Sequence, residues 1–117
     1  MGQLIKQDEN INLFDKEGFF NSIGRDLEIF RSFMKIFCSN FEKEEKLLEE
    51  GICICDYEEV VFHAHAIKGL CGNMKMAGLS KIAEEIEKDG MCKVPSETLK
   101  EECKQLLSIY NKIIKIC

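Results

Sequence analysis

Apolar residues recur along this chain at intervals of three and four, with charged residues between them. This period is typical of helices that bury one face. Five segments follow it: a short one after Asp15, one over residues 25–50, one from Asp56 to about residues 73–76, one over 77–88, and one from about Ser96 to Cys117. Because no segment alternates with period two, the pattern predicts an all-α protein.

Each long segment carries a stripe of residues that we expect to be buried. The predicted stripes are Leu27, Phe30, Met34, Phe37 and Phe41, widened by Phe33, Leu47 and Leu48, in the second helix; Leu79, Ile82, Ala83 and Ile86 in the fourth; and Leu99, Cys103, Leu106, Tyr110 and Ile113 in the last. Four long amphipathic helices with short connections predict an antiparallel up-down four-helix bundle with a short extra N-terminal helix.

Polar caps and glycines predict where the helices begin and end. The predicted N-caps are Asp15, Asp56 and Ser96. Gly24, Gly51 and the pair at 89–90 are predicted to end helices. Residues 1–12 are predicted to be a polar lead-in, and residues 13–117 a single bundle domain.

Length and charge limit the classes of function. A chain of 117 residues makes one domain. The net charge is −5, and basic residues alternate with acidic ones, which argues against nucleic-acid binding. No window is apolar enough to span a bilayer, and the N-terminus is too polar for a signal peptide. We therefore expect a cytoplasmic, free-standing and monomeric protein.

The seven cysteines do not form the even set of a disulfide framework. We expect most of them to be small buried hydrophobes in a reducing compartment. Cys53 and Cys55 precede a histidine pair, but these spacings are shorter than those of structural zinc sites. No metal site is therefore predicted, and a bundle that binds metal through Cys53, Cys55 and His63 remains a distant alternative. No ATP-binding or catalytic motif is found in the sequence.

The third helix carries both histidines, and helical geometry separates them. Residues two apart on a helix lie about 200° apart, so His63 and His65 face different sides. The predicted buried stripe of this helix is Val60, His63, Ile67, Leu70, Cys71 and Met74. His63 lies at the edge of that stripe and is expected to be a packed histidine with a satisfied hydrogen bond. His65 faces away from the stripe and is expected to be exposed.

The face around His65 has an unusual composition. Gly69 and Gly72 lie one and two turns beyond it, although glycine inside a helix costs roughly 0.5–1 kcal/mol relative to alanine. Two glycines there predict that a partner approaches the imidazole closely, with Val61 and Phe62 adding exposed apolar surface. Lys68, on the flank, is placed to meet negative charge near the ring. The alternative is that the glycines pack helices together and Lys68 is an ordinary solvated side chain.

These residues carry a family resemblance. They are His65, Lys68, Gly69 and Asn73 on the third helix and Leu79, Ile82, Ala83, Ile86 and Glu87 on the next. The pattern resembles the histidine-containing phosphotransfer (Hpt) domain, with its H-x-L-K-G motif, an Asn, and then L-x-x-L-A-x-x-L-E. The family is a four-helix bundle of this length, so the resemblance covers most of the chain. Leu70 and Lys75 depart from the pattern, standing where the family usually has a small residue and a helix-ending glycine.

The resemblance implies that His65 accepts a phosphoryl group from a receiver-domain aspartate and passes it to another receiver. Lys68 would stabilise the phosphate charge, and Val61, Phe62, Gly69 and Gly72 would meet the partner. The implied partners are receiver domains and a hybrid histidine kinase; the receiver would supply Mg²⁺, and this chain would bind no cofactor. The alternative function is a helical interaction module that docks a signalling partner without being phosphorylated.

Overall fold

The computed structural model describes residues 14–117, and these form five helices and no strand. The helices are α1 (Lys16–Ser22), α2 (Leu27–Cys53), α3 (Tyr57–Asn73), α4 (Ala77–Met91) and α5 (Ser96–Ile116). The long helices pack as a bundle in which α2 and α4 both contact α3 and α5. The predicted all-α bundle with a short N-terminal helix is confirmed; the lead-in predicted for residues 1–12 lies outside the described residues.

The buried stripes of α4 and α5 agree with the prediction, apart from Ile82, which is only partly buried. In α2 the prediction is wrong for Leu27 and Phe33, which are 52% and 44% exposed, and Leu47 is only half-buried. It is right for the other members of the stripe, which are Phe30, Met34, Phe37, Phe41 and Leu48. Phe33 is rotated by about 70° from the centre of the stripe. It contacts Phe19 of α1 edge-on, with ring centroids 5.6 Å apart, and leaves its other side to solvent.

Two glycines predicted to end helices lie inside them. A Cβ atom on Gly51 would lie 3.2 Å from Cβ of Glu59, and one on Gly90 would lie 3.1 Å from methyl groups of Val60 and Val61. Because they lack a Cβ atom, these glycines let α2 and α4 approach the N-terminal half of α3. The helices consequently continue to Cys53 and Met91.

Side chains cap the first three helices, and in α2 the cap is Asp26, whose carboxylate accepts a hydrogen bond from the backbone N–H group of Ile29. The carboxylates of Asp15 and Asp56 accept hydrogen bonds from the backbone N–H groups of Gly18 and Glu59, as predicted. Ser96 is the first residue of α5 rather than its cap, because Pro95 occupies the cap position with extended backbone. Gly24, just beyond α1, has a φ of +76° and ends that helix as expected.

The cysteines are free thiols, but the expectation that most are buried is wrong. Only Cys71 and Cys103 are buried, and Cys38 is half-buried. The exposed thiols are Cys53, Cys55, Cys92 and Cys117, which lie at helix ends and connections, where no neighbouring helix covers them. Among the described helices, none is long and apolar enough to cross a membrane.

Candidate functional site

Helix α3 divides into a buried face and an exposed face, as the sequence predicts. Val60, Ile67 and Cys71 are fully buried, and Leu70 packs against the core from a half-buried position. The side chain of His65 is 67% exposed on the opposite face. The histidine is therefore open to a partner from solvent.

One carboxylate contacts both polar side chains of this face. Oε2 of Glu87, on α4, lies 2.8 Å from Nδ1 of His65, and its Oε1 lies 2.9 Å from Nζ of Lys68. The Glu87 side chain is only 10% exposed. We call His65, Lys68 and Glu87 the triad.

Contacts between α3 and α4 on either side of the triad hold Glu87 beside His65 and Lys68. The Ser80 hydroxyl donates to the backbone oxygen of Lys68 at 3.3 Å, and Gly90 lies against Val60 and Val61. Glu87 lies between Ser80 and Gly90, so α4 delivers its carboxylate to the exposed face of α3.

Charge decides the hydrogen-bonding roles within the triad. Burial disfavours ionisation of Glu87, but the hydrogen bonds from Lys68 and His65 outweigh it, and the pKa of its carboxyl group lies below its ordinary value. The hydrogen bond to Glu87 raises the pKa of the Lys68 ammonium group. Because an ionised carboxylate only accepts hydrogen bonds, Nδ1 of His65 carries the proton. In the neutral ring, Nε2 therefore holds the lone pair.

The glycines beyond His65 face open space. A Cβ atom on Gly69 would meet no atom within 4 Å, and one on Gly72 would approach only the Ser80 hydroxyl, at 3.9 Å. Among residues 14–117, neither glycine is therefore needed for close packing of helices, because no neighbouring atom would obstruct a Cβ atom there. Their open surface continues the exposed face of His65 along α3.

An apolar groove of about 570 Å³ adjoins His65 along the seam between α3 and α4. We call it the seam groove; its apolar lining is Tyr57, Val61, Phe62, Ala66, Gly90 and Met91. Phe62 and Met91 are 67% and 62% exposed, whereas Val61 is half-buried in the wall. Both apolar residues predicted to meet a partner thus line one groove, although Val61 presents less surface than expected.

His63 has a different environment from His65. It is buried, and its Nδ1 and Nε2 atoms contact carboxylate oxygens of Glu44 and Glu59, the latter at 2.9 Å. The predicted packed histidine with satisfied hydrogen bonds is confirmed. Both ring nitrogens of His63 are thus engaged within the fold.

Comparison with known families decides which family this chain belongs to. Residues 26–110 match the family model of the Hpt domain. The chain belongs to the Hpt domain family. Hpt domains are phosphoryl carriers that act in phosphorelays. Comparison with curated proteins gave no significant match, and neither did comparison with solved structures.

This Hpt domain accommodates both departures from the family pattern. Leu70 packs against the hydrophobic core, as the helical geometry predicts. Lys75 takes the place of the usual glycine and adopts its left-handed conformation, with a φ of +59°. Helix α3 therefore ends at Asn73 even without the glycine.

The sequence did not assign a role to Glu87, although its position was part of the motif. On α4 it lies next to the buried stripe formed by Leu79, Ala83 and Ile86, about 80° from Leu79. An ionisable residue at the border of a buried stripe needs a partner on the neighbouring helix. That position was the available signal, but the sequence does not show that the partners are His65 and Lys68.

Proposed function

We propose that His65 is the phosphoryl acceptor of this Hpt domain, taking the group from a receiver aspartyl phosphate and passing it to the aspartate of another receiver. One observation carries the proposal: His65 is exposed while Glu87 holds its Nδ1 proton, which leaves Nε2 free toward solvent. A hybrid histidine kinase is the expected source of the first receiver.

The hydrogen bond to Glu87 defines a simple reaction. The lone pair of Nε2 attacks phosphorus, a new N–P bond forms, and the P–O bond breaks with its electron pair leaving on the receiver carboxylate. The Nδ1 proton stays with the ring throughout, held by Glu87 at 2.8 Å. The ring gains a positive charge and needs no proton acceptor, so the same step in reverse passes the group onward.

Lys68 is the residue of this chain that would stabilise the transferred charge. Phosphoryl transfer depends mainly on positioning and electrostatic stabilisation, which suits a cation one turn beyond the nucleophile. Mg²⁺ would be supplied by the receiver, where it neutralises phosphate charge.

The surface around His65 suits a partner that must bring its own active site to the ring. Gly69 and Gly72 leave room for the loops of a receiver, because no side chain projects from either position. The seam groove supplies apolar contact on the other side of His65, with Phe62 as the more exposed of its two large exposed apolar side chains, Phe62 and Met91. Local apolar contact of this kind is compatible with a net charge of −5.

The test compares the two histidines. With a receiver carrying labelled aspartyl phosphate as donor, we expect His65→Gln to reduce labelling of this domain to background, because the nucleophile is lost. His63→Gln is the matched control and is expected to keep labelling, since its amide NH2 group can still donate to a carboxylate of Glu44 or Glu59. Labelling is measured by intact mass, with circular dichroism confirming the helical fold of each variant.

Two outcomes would overturn the proposal. Loss of label in the His63 variant alone would move the acceptor to His63. If the unmodified domain binds a receiver but takes no label, it would be an interaction module without phosphotransfer.

A further inference from the structure

Lys68 is already paired in the protein before any phosphoryl group arrives. Its Nζ lies 2.9 Å from Oε1 of Glu87, and the same carboxylate accepts from Nδ1 of His65 through Oε2 at 2.8 Å. Glu87 is nearly buried, so little water is available to replace either partner. A new ligand for Lys68 therefore meets an ammonium group that is already paired with a carboxylate.

A phosphoryl group on Nε2 would be such a ligand. It brings about −1.5 to −2 charges at neutral pH, more than a single carboxylate. Lys68 lies three residues beyond His65 on neighbouring positions of the helix surface, within reach of a group on the ring. An ammonium group has three N–H donors, so Nζ either bridges Glu87 and the phosphoryl group or moves from the first to the second.

The loss of Lys68 does not leave Glu87 without a cation. Once Nε2 is bonded to phosphorus and Nδ1 keeps its proton, the imidazole ring itself is positively charged. The 2.8 Å hydrogen bond from Nδ1 then joins a cation to a carboxylate, and such charge-assisted bonds are the stronger kind.

We propose that Glu87 is a positioning residue that exchanges cations when His65 is phosphorylated, giving up Lys68 to the phosphoryl group and pairing with the charged ring. This inference rests on the proposed function. Before the exchange Glu87 pairs with Lys68 beside a neutral ring; afterwards Lys68 pairs with phosphate and Glu87 with the ring. Because Lys68 and Glu87 each have a partner of opposite charge in both states, the phosphoryl group can be both accepted and released.

The first measurement follows Lys68 directly and needs no variant. Phosphoramidate is the donor: Nε2 bonds to its phosphorus, the P–N bond breaks, and ammonia leaves. Nuclear magnetic resonance of the side-chain ammonium group reports hydrogen bonds from Nζ. We expect the coupling between Lys68 and the Glu87 carboxylate to disappear on phosphorylation, while the coupling from Nδ1 to Glu87 persists. A Lys68–Glu87 coupling that survives phosphorylation would overturn the exchange.

The second measurement is a double-mutant cycle on the rate of labelling by phosphoramidate. Glu87→Gln keeps an oxygen for the Nδ1 proton but removes the charge that holds Lys68. The Lys68 factor is the ratio of the labelling rates with Lys68 and with Met at this position. We expect this factor to be at least about threefold larger in the Glu87→Gln background than in the unmodified protein. An equal factor in both backgrounds means that Lys68 and Glu87 act independently, which would overturn the exchange.

Glu84→Gln is the matched control for charge. Glu84 lies on α4 one turn before Glu87 and pairs with Lys88 at 3.5 Å. We expect the Lys68 factor in the Glu84→Gln background to equal that in the unmodified protein. If Glu84→Gln increases the factor as much as Glu87→Gln does, the cause is a general charge effect instead of exchange.

Phosphoramidate also separates this inference from the proposed function. Chemical labelling of His65 without transfer from any receiver would contradict the function and leave the exchange measurable. If a receiver transfers its phosphoryl group to His65 but the Lys68 factor is the same with and without Glu87→Gln, only the exchange would be contradicted. Failure of both phosphoramidate and a phosphorylated receiver to label His65 would overturn both.

Discussion

Four glycines within helices fall into two pairs, one packed against a neighbouring helix and the other on the exposed face of α3. Gly51 and Gly90 lie against α3, where a Cβ atom would come within 3.1–3.2 Å of another side chain. Gly69 lies on the exposed face, where a Cβ atom would meet nothing within 4 Å, and at Gly72 only a hydroxyl is near. The first pair is explained by packing in this chain, whereas the second is not.

Substitution of Gly69 tests the purpose of the exposed pair. We expect Gly69→Ala to raise the free energy of unfolding by roughly 0.5–1 kcal/mol, because alanine favours the helix and has space. The same variant is expected to slow transfer from a receiver about tenfold, the equivalent of ~1.4 kcal/mol of binding. Thermal unfolding and transfer kinetics measure the two effects.

Gly51→Ala is the packing control for that variant. Its Cβ atom would lie 3.2 Å from Glu59 and 3.4 Å from the backbone nitrogen of Val60. Overpacking there is expected to lower the free energy of unfolding by about 1–3 kcal/mol. If Gly69→Ala is stable and transfers at the normal rate, no partner approaches that position closely.

The environment of a site residue could be predicted only where it depends on the geometry of a single helix. The positions of His63 and His65 on opposite faces follow from the helical repeat, and the structure agrees. The pairing of Glu87 with Lys68 joins residues on two helices, at 2.9 Å. That contact depends on how α4 packs along α3, which the pattern of a single helix does not contain.

At the scale of the helices, the connections contain a shared source of strain. Cys55, Lys75 and Lys93 each follow a long helix with a φ between +54° and +59°. This left-handed conformation costs a residue with a side chain about 1–2 kcal/mol. The bundle tolerates this cost at these three positions and again at Arg25, between α1 and α2, where φ is +58°, because its packing fixes where the helices turn.

Replacing one of these residues by glycine tests the strain. We expect Lys75→Gly to raise the free energy of unfolding by about 0.5–1 kcal/mol, as the relieved strain exceeds the added freedom of the unfolded chain. Lys81→Gly, at an exposed position in the interior of α4, is the control and is expected to lower the free energy of unfolding by about 1 kcal/mol. Chemical denaturation measures both; destabilisation by Lys75→Gly would mean that the lysine side chain stabilises the turn.

At this scale the sequence pattern predicted the helices themselves, but it misplaced the ends of two of them. The apolar period identified every helix, but Gly51 and Gly90 were expected to be ends and lie inside α2 and α4. Glycine ends a helix when the chain turns there, and it continues a helix when a neighbour needs the space. The choice depends on Val60 and Val61 of α3, which only the folded bundle brings near.

At the scale of the whole molecule, the bundle buries an acid between α2 and α5. Glu45 is 7% exposed, and Sγ of Cys103 lies 3.9 Å from its Oε2 atom. Burial, with a contribution from nearby Glu49, raises the pKa of the Glu45 carboxyl group to about 8. The fold therefore favours the protonated form of this residue.

The raised pKa predicts a pH dependence of stability. In the unfolded chain this carboxyl group ionises near pH 4.5, so its stabilising effect is complete below that pH and is lost as the pH rises toward about 8. We expect Glu45→Gln to remove this loss and to raise the melting temperature more at pH 8 than at pH 5. Exposed Glu101 on α5 supplies the control, Glu101→Gln, which is expected to give equal shifts at both pH values. Equal shifts for the Glu45 variant would contradict the prediction.

The contact of Gly90 with Val60 and Val61 also bears on molecular association. It joins the wall of the seam groove to residues of the hydrophobic core, so this wall is set when the bundle folds. A partner docking there meets a preorganised surface, and little conformational entropy of this domain is lost. Most of the entropic cost then falls on the partner. We therefore expect differences in affinity among partners to reflect their own rigidity and side chains.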